Sequence, residues 1–149
     1  MEPVATEAAP ATPPGPSPAP GPAPVRPFLR WALRVTITLH ALAVLVQAVF
    51  AGRFMSGDFE FLDAHFINSQ VVGALGVAQM VFGFLYWRPG GGPLRVAMAC
   101  LAVFIAEPLQ IAAGILRVIG VHVPLGVSVF AASVVLTIWA WGPTFGRRR

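Results

Sequence analysis

The sequence contains no lysine, and only one cysteine and one tyrosine. Charge of either sign is scarce: charged residues make up 11% of the chain, where a soluble domain carries roughly a quarter. That shortage excludes an ordinary water-soluble domain. The lone cysteine, Cys100, lies inside an apolar run, so neither an internal disulfide nor a cysteine-built metal site can form. No nucleophile–base motif, phosphate loop or nucleotide fingerprint occurs, so soluble-type enzymology is unsupported and the reading leans away from an enzyme without excluding one. Ten arginines against six acids and a pI near 11.1 would suit a nucleic-acid partner. Most of the arginines stand at the ends of apolar runs, however, where they orient a membrane protein, and nucleic acid is excluded as a partner.

What the chain does have is apolar length. Hydrophobic residues are 56% of its 149 positions and the mean hydropathy is +0.74. Residues 1–26 stand apart: they hold nine of the fifteen prolines, with alanine and glycine between them. Such a segment has little to bury and too few donors for regular structure, and is expected to be a disordered, partly polyproline tail. It lacks an apolar h-region and so does not read as a secretory signal. The membrane domain is expected over 27–143, followed by a basic tail at 144–149 that ends in three arginines.

Four spans fit within that domain, at about 28–52, 64–87, 94–119 and 122–141. Each is long enough, at ~1.5 Å per residue, to cross a ~30 Å hydrocarbon core. Gly52, Ser56 and Gly57 punctuate an acidic loop over 53–63, and Asp63 is placed to cap the second helix. The Pro/Gly run at 89–93 makes the second turn, with Pro93 opening the third helix. Gly120 and Val121 are read as the third connection. Open strands cannot cross a bilayer, and these runs exceed the length of barrel strands. The fold class is therefore all-α, an antiparallel four-transmembrane-helix bundle with a disordered Pro/Ala-rich N-terminal tail. Arginine is concentrated before the first span, around the second turn and at the C-terminus. By the positive-inside rule the chain is a multi-pass protein of the cytoplasmic (inner) membrane with both termini cytoplasmic.

Polar residues inside the spans recur at helical spacing: Thr36, His40 and Gln47; His65, Ser69 and Gln79; Glu107 and Gln110; His122, Ser133 and Thr137. With the intervening Gly76, Gly83, Gly114 and Gly126 they form one small or polar stripe per helix, the kind that faces other helices rather than lipid. Counting from the expected span ends places His40 and Glu107 both ~18 Å deep. They sit on the diagonal of a four-helix square, close enough in register to meet, and with Gln47 and Gln110 form an inner polar layer. His65 and His122 open the other two spans at one membrane face. Two imidazoles facing across a bundle at one depth can ligate a haem iron from both sides, with Ser69, Gly73, Gly76 and Gly126 leaving room for a flat macrocycle. No spacing motif supports zinc, and no other metal is expected.

From Gln47 to Trp141 the chain resembles a family of small, uncharacterised bacterial four-span membrane proteins. The residues that carry the resemblance are Gln47 before Ala51 and Gly52, Gly57, His65, Gln110, and the cluster His122, Pro124 and Gly126. Val123 separates a histidine and a proline that would be adjacent, and Ser69 stands where a glycine is usual. At the level of fold alone, the arrangement is similar to the four-helix halves of haem A synthase and of b-type cytochromes.

These readings leave three functional expectations. The first is haem b binding and electron transfer through His65 and His122. The second is a non-enzymatic accessory or structural membrane subunit whose stripes serve packing. The third is a proton or small-solute carrier that uses Glu107. The lipid bilayer is the expected partner, with a second membrane protein or a homo-oligomer left open.

Overall fold

A computed structural model describes residues 26–145. Of the expected disordered tail only Arg26 falls within the described residues, and of the basic C-terminal tail only Thr144 and Phe145. Four helices follow in order: α1 (Pro27–Met55), α2 (Phe61–Trp87), α3 (Leu94–Ile115) and α4 (Ile119–Trp141). All four are long and apolar enough to cross a membrane, and among the described residues there is no strand. The protein is an all-α four-helix bundle and a membrane protein. Each helix packs against its two neighbours in a closed square, α1–α2–α3–α4–α1, which leaves α1/α3 and α2/α4 as the diagonals.

The helix ends depart from the sequence expectations, each for a local reason. Gly52 does not break α1. The break falls at Gly57 (φ 103°), after Ser56 N–H has closed the last turn on Gly52 O and Arg53 O. Glycine takes that backbone conformation without the Cβ penalty other residues meet. The expected 53–63 loop shrinks to residues 56–60, with Arg53 paired to Asp58 at 2.7 Å. Asp63 is not the cap of α2. It lies in the first turn, where its charge faces the positive end of the helix dipole. Pro93 stands just before α3 rather than opening it.

The third connection is displaced most. It lies at 116–118, not at Gly120 and Val121, and Gly120 belongs to α4. Val118 N–H bonds back to Ala113 O and Arg117 N–H to Gly114 O, with Arg117 at φ 57°. This is a Schellman stop, built with arginine where glycine is usual. Pro124, expected in a first turn, therefore lies inside α4, as Pro108 lies inside α3.

The end of the bundle that carries Arg26, Arg30, Arg34, Arg88 and Arg95 is closed by the segment after α4. Phe145 folds back and stacks on Tyr86, with ring centroids 5.4 Å apart and planes 4° from parallel. Below this plug lies the main apolar core, with Leu33, Ile37, Val96, Cys100, Val103 and Leu136. A smaller apolar layer of Val44, Val72 and Val129 sits nearer the other end. The polar groups lie between these two layers and beyond the second.

Candidate functional site

The middle polar layer is built around a diagonal contact. His40 on α1 and Glu107 on α3 bring Nε2 and Oε1 to 2.7 Å, at 0% and 3% exposure. The two atoms lie within ion-pair distance but lack hydrogen-bond geometry. Ser133 donates its hydroxyl proton to Val129 O at 2.8 Å, so its oxygen, 3.4 Å from His40 Nδ1, is left to accept from the ring. Gly76 on α2 makes the meeting possible, because a Cβ there would run into Glu107 Oε2. One turn further along α2 lies Gln79, 1% exposed, with neither amide atom hydrogen-bonded.

At the acidic-loop end the polar contacts fall into two clamps. Between α1 and α2, Gln47 Nε2 donates to His65 O at 2.9 Å. Asn68 Nδ2 donates to Gln47 Oε1 at 2.6 Å and to Ala43 O at 3.0 Å. His65 Nδ1 lies 3.1 Å from Gln47 O. Between α3 and α4, His122 Nδ1 lies 2.8 Å from Gln110 O. A carbonyl can only accept, so in both histidines Nδ1 carries a proton, and in a neutral ring Nε2 is then the atom with the lone pair. The Gln110 amide nitrogen lies 3.1 Å from His122 Nδ1 and 3.3 Å from Nε2, and with Nδ1 protonated only Nε2 can accept from it. Across the second diagonal the His65 and His122 rings meet in a T-shaped contact, with centroids 6.2 Å apart and planes at 66°.

The histidines, glutamines and glutamate singled out from the sequence thus gather into two layers, but the glutamines are not in the layer expected for them. His40 and Glu107 form the middle layer. Gln47 and Gln110 belong with His65 and His122 at the acidic-loop end, separated from the middle by Val44, Val72 and Val129. The slots of three glycines are filled by these same side chains: Gly76 by Glu107, Gly114 by the His122 ring and Gly126 by the Gln110 amide. Asn68 was missed, although it is the chain's sole asparagine and stands one turn from His65, which is the signal that would have found it. Among the described residues no cluster of three or more histidine, cysteine or acidic side chains is arranged to hold a metal ion. Compared with protein-family models, curated proteins and solved structures, the chain matches none.

Proposed function

We propose that this protein is a multi-pass protein of the cytoplasmic membrane, both termini on the cytoplasmic side, that holds haem b between His65 and His122 and takes part in electron transfer. The reading rests on the 6.2 Å between the two imidazole centroids. Two imidazoles this close, on helices across the bundle from each other, would hold a haem iron between them. The ligands stand on diagonal helices, as bundle cofactor sites use them. Each Nδ1–H is held by a backbone carbonyl, which fixes the ring and leaves Nε2 as the ligand atom. Beside them Gly73 faces open space, whereas the Gly126 side is filled by Gln110, whose amide must leave His122 Nε2 for iron to bind there. Bound haem supplies one-electron chemistry. The chain orients the two imidazoles, and the valine layer keeps water from the inner side of the site. The arginine-rich end sets the orientation, and the same reading sets the chain beside the small four-span family it resembles.

The test is a visible spectrum of the detergent-purified protein after expression with haem supply, oxidised and then dithionite-reduced. A Soret band that shifts on reduction is expected. It should be lost in His65→Ala and His122→Ala and kept in His40→Ala. A colourless protein under haem-replete conditions overturns the proposal.

One observation favours a second reading, the accessory subunit. Three polar side chains fill three glycine slots, which is how helices lock together. Under that reading the protein is colourless and co-purifies with a membrane partner. A carrier using Glu107 would need water to reach a layer flanked by Val44, Val72 and Val129 on one side and the main apolar core on the other.

A further inference from the structure

The arginine-rich end holds more donors than the protein satisfies. Arg30 Nε and the Tyr86 hydroxyl are both buried without a hydrogen-bond partner, and Tyr86 is 0% exposed. Arg34 reaches the same place, its guanidinium 5.6 Å from the Phe145 ring that stacks on Tyr86, and Arg30 stands one turn before it on α1. Arg34 is pinned from the other side. Its Nε donates to Ala140 O at 2.7 Å, and its guanidinium lies over the Trp31, Trp141 and Phe145 rings at 5.4–5.7 Å. No described acid balances this charge. Asp58, Glu60 and Asp63 are at the opposite end of the bundle, and Glu107 is in the middle layer beyond the apolar core.

An unpaired buried donor costs free energy until an acceptor reaches it. The acceptor that suits this place is anionic and rich in oxygen. Arg30 is in the first turn of α1 and Tyr86 in the last turn of α2, the depth at which lipid phosphates lie when the helices span a bilayer. Basic pockets between helix ends take such groups. We propose that Arg30 and Tyr86, with Arg34 beside them, form a binding site for a phosphate group. The group is either the phosphodiester of an anionic lipid or free phosphate.

The test is thermal unfolding of the full-length protein in neutral detergent, followed by tryptophan fluorescence. The additions are phosphatidylglycerol, phosphatidylcholine, or inorganic phosphate against chloride at matched ionic strength. Either phosphatidylglycerol or inorganic phosphate is expected to raise Tm by roughly 4 °C or more at saturation. Protection by phosphatidylglycerol alone identifies a lipid headgroup, and equal protection by inorganic phosphate identifies the free anion. The shift should vanish in Arg30→Gln and shrink in Tyr86→Phe, which keeps the ring stacked on Phe145 and removes only the hydroxyl. The proposal is overturned if the wild-type protein shows no shift, or if both variants shift as much as the wild type. It is also overturned if phosphatidylcholine protects as well as phosphatidylglycerol.

Discussion

His40 and Glu107 meet across the bundle diagonal at 2.7 Å, although their helices α1 and α3 make no backbone approach. Their side chains bridge the centre, and both are buried. Removing one partner strands the other in an apolar layer. Glu107→Ala should therefore lower stability by about 3–5 kcal/mol, whereas replacing both by apolar residues of similar volume, His40→Leu with Glu107→Met, should be close to neutral. Thermal unfolding in detergent reads both. A double variant as unstable as the single one would mean that the pair does more than satisfy itself.

Gly76 is the floor on which the Glu107 carboxylate rests. Gly76→Ala should destabilise by about 1–3 kcal/mol through overpacking. In a Glu107→Ala background most of that penalty should disappear, because the clashing oxygen is gone. Strict additivity in the cycle would contradict the contact.

Phe145 closes the arginine-rich end by stacking on Tyr86 and meeting Trp139 edge-on, with centroids 5.6 Å apart. Phe145→Ala should cost about 3–5 kcal/mol, as for other buried aromatics. Unfolding together with near-ultraviolet circular dichroism of the aromatic bands would show it. Unchanged bands and an unchanged midpoint would mean the segment after α4 does not pack there in solution.

Arg117 ends α3 in the left-handed backbone region at φ 57°. Arg117→Gly should leave the Schellman stop intact and stabilise by about 0.5–1 kcal/mol, the relief of the Cβ clash less the entropy glycine adds to the unfolded chain. A loss of stability would show that the arginine side chain supplies more than its backbone costs.

The α2 stripe of Ser69, Val72, Gly76, Gln79 and Gly83, read from 3.6-residue spacing, is the buried face of that helix. The depth count for His40 and Glu107 succeeded with the wrong ends. α1 runs to Met55 and α3 stops at Ile115, so α1 projects about 10 Å beyond α3. Register in the bundle comes from packing, not from flush helix ends. Gly120 misled because glycine marks many stops, and here the stop was set by Arg117 in a hydrogen-bond pattern that composition does not reveal. Gln47 and Gln110 were grouped with Glu107 because spacing gives a helix face but not which neighbours share a layer.

Apolar run length, polar spacing and arginine placement were enough to determine four membrane-length helices, their order and the face each turns inward, because these depend on local periodicity and on the cost of polar groups in lipid. Which polar side chains meet was decided by tertiary structure alone. The His40–Glu107 contact, the T-shaped His65–His122 contact, the valine layer between them and the Phe145 plug all depend on the relative height of helices that no local pattern fixes. That height is set by close packing, where Glu107, Gln110 and His122 find glycines on the facing helices to rest against.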